Sequence, residues 1–397
     1  MNPPRCPEHD RENTKHPLLP TTTHPVILVR TQECPLRGLV RRTVFLLSLF
    51  LALFFTLKLL LGPHSTEPPV WHAPPPFNND SPSLFSANER VGNHSFLAAD
   101  FSAVKILVSG NGLAQVAVVR VPKRNLMASV YYDIKSGGMI PGALDRCDVT
   151  AVVKQLPGSE RMELTVKVTF PDDLPPRMTN LQTLMRVELP QDELYSFVVS
   201  GDAFVVDYAG PNVRSLFNVM GRLGKLSVYE PVDALEVMVK MQQGSMMFGA
   251  DVSAMKVDLY TGVGDIEVMD TMKVNEMGMF HTNWGHIKME RLTGLFETMK
   301  MSAKWGSIEI MDMMLDPIFA EPSIEMSTSA IGSMYGNIKV SVTGFRGMYH
   351  ATSWMNMVKV IGPAVNQEIP GMIGMDPTAV GQFNATASLG AINLSFA

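Results

Sequence analysis

A five-residue phrase led by glycine recurs through the second half of this 397-residue chain. It opens at Gly224 (Gly-Lys-Leu-Ser-Val), Gly244 (Gly-Ser-Met-Met-Phe), Gly264 (Gly-Asp-Ile-Glu-Val), Gly285 (Gly-His-Ile-Lys-Met), Gly306 (Gly-Ser-Ile-Glu-Ile) and Gly336 (Gly-Asn-Ile-Lys-Val). The steps are 20, 20, 21, 21 and 30 residues. A fixed period of this size marks a repeat architecture, in which one unit cannot bury its apolar face alone and stacked units share a core.

Inside each phrase the second and fourth residues after glycine are apolar. In the later copies a charge separates them: Glu267 between Ile266 and Val268, Lys288 between Ile287 and Met289, Glu309 between Ile308 and Ile310, Lys339 between Ile338 and Val340. Period-2 alternation is a strand with one face in and one face out. A second alternating run follows each phrase, with Val257 and Leu259, Met277 and Met279, Met299 and Met301, then Ile324 and Met326 read as inward. Each repeat therefore carries two strands and two turns. The expected fold is all-β: a flattened parallel β-solenoid of about 20-residue rungs. The 30-residue step holds an insertion around Leu315–Pro322, and Gly390-Ala391-Ile392-Asn393-Leu394 is a last copy of the phrase. Trp284, Trp305 and Tyr335 each precede the glycine and are expected to stack as an aromatic ladder at one corner.

The repeat domain is assigned to residues 216–397. Residues 100–215 form an irregular β region, either the start of the solenoid or sandwich-like. Their strands are read at Val104–Val108, Gln115–Val119, Leu164–Val168 and Met185–Leu189. Residues 62–99 are a proline-rich stalk, with Pro74-Pro75-Pro76 its densest run. Thr43–Leu61 is apolar except for Lys58. Nineteen residues at about 1.5 Å each give roughly 28 Å, the thickness of a bilayer core. A single transmembrane helix is expected there, and Lys58 snorkels near its end. Residues 1–42 read as a disordered tail with seven Lys or Arg, whereas Arg90 is the sole one between Gly62 and Asp100. The positive-inside rule then places the N-terminus in the cytosol and the large C-terminal part outside it. The acceptor sequences at Asn93, Asn384 and Asn393 all follow the span and are N-glycosylation candidates. Localisation is thus single-pass at the plasma membrane or a secretory-pathway membrane.

A net charge of −5 argues against a nucleic-acid partner. Three cysteines, Cys6, Cys34 and Cys147, cannot staple a domain of this size. Cys147 is either a buried free thiol or the link of a disulfide dimer. The 29 methionines read as adaptable core filler. No candidate for chemistry outweighs a structural reading. Asp265 with Glu267 is a solvated strand face, and Asp312 with Asp316 flanks the insertion. His281 and His286 lack a third ligand, Asp172-Asp173 sits in a proline-rich turn, and Gly110-Asn111-Gly112 lacks the helix of a phosphate loop. No catalytic, cofactor or metal residue is assigned.

The Gly-x-Ile-x-Val phrase at this period resembles the putative-adhesin β-solenoid family over residues 200–395. The resemblance implies surface attachment and brings no catalytic residues. The expected function is a non-catalytic type II membrane protein that presents an adhesin-like solenoid, with a glycan or protein ligand on its surface. The alternative is a carbohydrate-active enzyme: a β-helix polysaccharide lyase or hydrolase, or a Golgi type II glycosyltransferase, whose span and stem have the same layout.

Overall fold

A computed structural model describes residues 89–397 apart from 138–141, 174–180, 296, 316–321, 330–335, 355–356, 363–371 and 374–380. The tail, the span at 43–61 and the stalk up to residue 88 lie outside the described residues, as do Asp316 and Tyr335.

The described residues hold strands and two short 3₁₀ turns but no α-helix. The strands are β1 (Glu89–Leu97), β2 (Ala103–Ser109), β3 (Leu113–Arg120), β4 (Met127–Ser136), β5 (Asp148–Gln155), β6 (Met162–Thr169) and β7 (Leu181–Leu189). Four long ones turn corners: β8 (Glu193–Ala209), β9 (Asn212–Val228), β10 (Val232–Phe248) and β12 (Ile266–Trp284), with β11 (Val252–Val263) between the last two. Then come β13 (Ile287–Gly294), β14 (Thr298–Trp305), β15 (Ile308–Leu315), β16 (Ser323–Thr328), β17 (Ile338–Thr343) and β18 (Gly347–Ser353). The chain closes with β19 (Val358–Ile361), β20 (Met372–Ile373), β21 (Gly381–Ala387) and β22 (Ile392–Phe396).

These strands pair in two mostly parallel ladders. One runs β6–β2–β8–β9–β10–β11–β12–β14–β16–β21–β18. The other runs β7–β3–β8–β9–β10–β12–β13–β15–β17–β22–β19. The phrase sets the register of the second: Ile266 pairs with Ile287, Ile287 with Ile308 and Ile308 with Ile338. Ile266, Ile287, Ile308 and Ile338 are fully buried, as their alternation requires. Burying each isoleucine contributes about 1.5–3 kcal/mol. Tyr208, Phe197 and Phe217 pack together lower in the same core, with ring centroids 4.6–5.4 Å apart.

At the phrase glycine successive backbones touch. Gly285 has φ +150°, and a Cβ there would lie 2.0 Å from the Gly264 carbonyl oxygen. That position excludes a side chain both by space and by dihedral. Buried Thr261 and Thr282 satisfy the carbonyls at the same corner, donating to Gly244 O at 2.7 Å and Gly264 O at 2.9 Å.

Chain order and stacking order differ at both ends. The level of β2 and β3 lies between that of β6 and β7 and the long strand β8, although β6 and β7 come later in sequence. At the other end β21 and β22 lie between β16 with β17 and β18 with β19. The phrase at Gly390 is in register with the rest, Ile392 facing Ile338, but it is the second level from the end. Beyond β6 and β7 the direction reverses: β5 pairs antiparallel with β6, β4 with β7, and β1 with β4.

One inward assignment is corrected. Met277 and Met279 point outward; Gly278 and Phe280 face the core opposite Val257 and Leu259. The cause is a β-bulge between the Ala254–Val274 and Lys256–Met277 pairs, which shifts the strand by one residue. The Met299 side chain takes the space above Gly278, where a Cβ would lie 2.6 Å from its Cε and Sδ.

Three substitutions test this register. Ile266→Asp places an unpaired charge in the core and is expected to abolish cooperative unfolding. Glu267→Gln, on the outward face, is expected to leave the melting curve nearly unchanged. Gly285→Ala is expected to destabilise by about 1–3 kcal/mol or more through backbone strain. Equal denaturant midpoints for Gly285→Ala and the parent chain would rule out the stacked corner.

Candidate functional site

The outward face of the second ladder carries a column one residue wide. Glu267 pairs in register with Lys288, Lys288 with Glu309, and Glu309 with Lys339. Lys288 Nζ lies 3.3 Å from Glu267 Oε1, and Lys339 Nζ lies 2.7 Å from Glu309 Oε1. The column continues through Asn393, which separates Lys339 from Lys359. Neighbouring rungs are laced in the same way by Lys240–Asp258 at 2.5 Å, Lys256–Glu276 at 3.2 Å, Arg291–Asp312 at 3.5 Å and Lys300–Glu325 at 3.1 Å.

Beside this column runs a second, polar one that the sequence reading missed. In four of the phrases the residue after the glycine, Ser245, Asp265, His286 or Asn337, accepts a hydrogen bond from the main chain of the next level. The Asp265 N–H donates to Ser245 Oγ at 3.2 Å, and the His286 N–H donates to Asp265 Oδ1 at 2.7 Å. The Ser307 N–H donates to His286 Nδ1 at 3.1 Å, and the Ala391 N–H donates to Asn337 Oδ1 at 2.9 Å. An accepting Nδ1 leaves the proton of a neutral imidazole on Nε2. The signal was present in the sequence: Ser245, Asp265, His286, Ser307 and Asn337 are all acceptors at one position of the phrase. Asp265, Glu267, His286, Lys288, Ser307 and Glu309 border a shallow groove between the two columns.

The aromatic corner forms as expected for its first two members. The Trp284 and Trp305 rings stack at 4.9 Å and 13°. Tyr260 and His281 stack at 5.3 Å and 3° on the neighbouring outward face, and Asn283 bridges them, donating to Tyr260 OH at 3.1 Å and lying 3.0 Å from His281 Nε2. Ring faces are thus turned toward one another along the stack.

The other singled-out residues are dispersed. His281 and His286 are held by different partners, and among the described residues no three His, Cys, Asp or Glu side chains converge on a metal-sized site. Asp173 meets Arg146 at 2.5 Å, and the guanidinium holds its carboxyl below the usual range. Gly110-Asn111-Gly112 is the turn from β2 to β3, its Gly110 N–H directed at Asp202 Oδ2 at 3.4 Å. Cys147 is a free thiol, 2% exposed, and burial pushes its pKa up. Asn93 is exposed on β1 opposite Tyr131. Asn384 lies half-buried on β21 between Glu325 and His350, and Asn393 is exposed on β22. No described helix is long and apolar enough to cross a membrane.

The charged column gives a sign-specific prediction. Lys288→Glu sets three carboxylates in a row, at a cost of about 0.5–1 kcal/mol for exposed neighbours on a sheet. The melting temperature should fall at low salt and partly recover as salt screens the repulsion. Exchanging the pair, with Glu267→Lys added to Lys288→Glu, should not restore it fully, because the new carboxylate at position 288 still faces Glu309. Adding Glu309→Lys as well restores attraction on both sides of position 288 but sets a lysine against Lys339, so it should recover about as much as the exchanged pair does. Identical, salt-independent melting of the single and triple variants would show that these side chains do not stack.

No family model matches the chain, and no curated protein matches it. Solved structures do. A putative adhesin from Parabacteroides merdae is 9% identical, with a TM-score of 0.34, over 79% of this chain and 97% of its own. A putative lipid binding protein from Parabacteroides distasonis is 11% identical, with a TM-score of 0.37, over 79% of this chain and 98% of its own. A putative cell adhesion protein from Clostridium sporogenes is 10% identical, with a TM-score of 0.25, over 78% of this chain and 100% of its own. At scores of this size the backbones superpose only in part.

Proposed function

We propose that this chain is a non-catalytic surface module. Its two ladders are the walls of a β-solenoid, carried outside the cytosol by a single type II span at residues 43–61. The observation that supports a binding rather than a catalytic role is the pairing of outward charges. Glu267, Glu309, Asp258, Glu276, Asp312 and Glu325 each meet a Lys or Arg of a neighbouring level. Carboxylates so engaged tie neighbouring levels together, a structural use that supports a display surface. The resulting surface is stiff, regular and extended. The second ladder, with β4 and β1 added, has thirteen strands; at about 4.8 Å per step that is roughly 58 Å. Such a face suits attachment to a glycan or protein, with Asn93, Asn384 and Asn393 as the glycosylation sites.

Expression in a glycosylating host tests the topology. Glycosidase treatment should increase mobility, and Asn93→Gln, Asn384→Gln or Asn393→Gln should each reduce the shift. Protease added to sealed microsomes should spare residues 100–397; their digestion with the N-terminal tail protected would reverse the orientation. Cells displaying the chain should adhere to a glycan- or protein-coated surface without consuming it. Polysaccharide cleavage abolished by Asp265→Asn or Glu309→Gln would replace the binding reading with the enzyme one.

A further inference from the structure

We propose that the slot filled by residues 381–397 is a strand-accepting site, and that copies of this chain join by exchanging that segment. The inference rests on the ladder pairings and not on the attachment role.

The segment is bound on both edges. In one ladder β21 pairs with β16 over Ser323–Thr328 and with β18 over Gly347–Ser353. In the other, β22 pairs with β17 over Ile338–Val342 and with β19 over Val358–Ile361. Phe383, Ala385, Ala387, Ile392, Leu394 and Phe396 point into the core and are buried. Removing the segment would leave four strand edges unpaired, each a template for another strand.

The outermost level is shaped for this occupant. Gly347 has φ +142°, and a Cβ on it would lie 2.1 Å from the Gly381 carbonyl oxygen. Gly362 has φ +133°, and a Cβ on it would lie 1.7 Å from the Phe396 carbonyl oxygen. Charge points the same way. Lys339 and Lys359 both face Asn393, from opposite sides. Direct stacking of β19 on β17 in that register would set lysine against lysine, so the level of β18 and β19 is not built to close on β16 and β17 by itself.

Synthesis order makes the slot real in time. Residues 347–361 leave the ribosome before residues 381–397, so the strands on both sides of this segment are made before it. Ile373, which pairs with Gly347, is eight residues from Gly381, a reach of at most about 26 Å. That length covers several strand spacings of about 4.8 Å. The contacts made by an exchanged segment are the same as those it makes at home, which is why swapping an identical element is a low-cost route to a dimer. Effective concentration then decides between the closed monomer and the joined pair.

A thiol pair across the slot reads both states in the full-length chain. Ser341 and Ser395 are register partners on the outward face. With Ser341→Cys and Ser395→Cys in one chain, oxidation should give an internal disulfide, seen as a monomer on a non-reducing gel and as a linked peptide pair by mass spectrometry. With the two substitutions on separate chains, mixing in the cold should give no such link. Warming the mixture to just below its unfolding temperature before oxidation should shift material to a dimer whose linked peptides contain positions 341 and 395. Mapping the peptides separates this link from those of Cys6, Cys34 and Cys147. A double variant that links internally beside a warmed mixture that never links overturns exchange while leaving the interleaved fold intact. A double variant that does not link internally overturns the slot itself.

Discussion

Everything in this structure hangs on the contact of one main chain with the next at the phrase glycine. A Cβ added at Gly244, Gly264, Gly285, Gly306 or Gly390 would lie 1.7–2.1 Å from a carbonyl oxygen one level away. No side chain fits between them. The close approach lets the strands on either side of the corner keep the spacing that parallel pairing needs. Ile266, Ile287, Ile308 and Ile338 can then form one continuous buried column, since each sits two residues beyond a fixed point. The core is a consequence of the corner, and the polar column of Asp265, His286 and Ser307 follows from the same spacing.

The ends of such an array pose a different problem. A stack of parallel strands finishes in two raw edges, which invite unwanted pairing. At the N-terminal end β5, β4 and β1 reverse direction and present Glu89, Arg90, Asp148 and Lys154 among exposed residues. At the C-terminal end the final segment is clasped one level inside the stack. Both solutions spend loop length, and loop closure costs grow only slowly with length. Residues 381–397, paired on both sides, also fray less than a level paired on a single side.

Much of this is legible in the sequence alone. The phrase located the strands of the second ladder, their inward residues and the Glu267, Lys288, Glu309, Lys339 column, because glycine, alternation and period all agree there. The strands at Val104–Val108 and Met185–Leu189 were legible from alternation alone. What local pattern could not supply was order. Nothing in the spacing of Gly336 and Gly390 shows that the second of these levels lies beneath one built from residues 347–361. Met277 was misread for a related reason: a bulge adds a residue without altering the apolar character of its neighbours, so Met277, Gly278 and Met279 offer two equally apolar registers. The acceptor column was missed because Ser, Asp, His and Asn differ in type while sharing one capacity.

A repeat so regular also carries a hazard, and the charged column answers it. Any phrase could stack on any other, since each offers the same glycine and the same two apolar residues. A slip by one level would place Glu267 beside Glu309, or Lys288 beside Lys339. Alternating sign makes both arrangements repulsive and the observed one attractive, so a weak surface interaction discriminates between neighbours that the core treats as equivalent. Each pair contributes little to stability on its own account. Its value lies in the difference between the right neighbour and the wrong one, where attraction lost and repulsion gained add together. The neutral Asn393 fits the same logic: between Lys339 and Lys359 it makes the inserted level the acceptable neighbour of both, and direct contact of those two the unfavourable alternative.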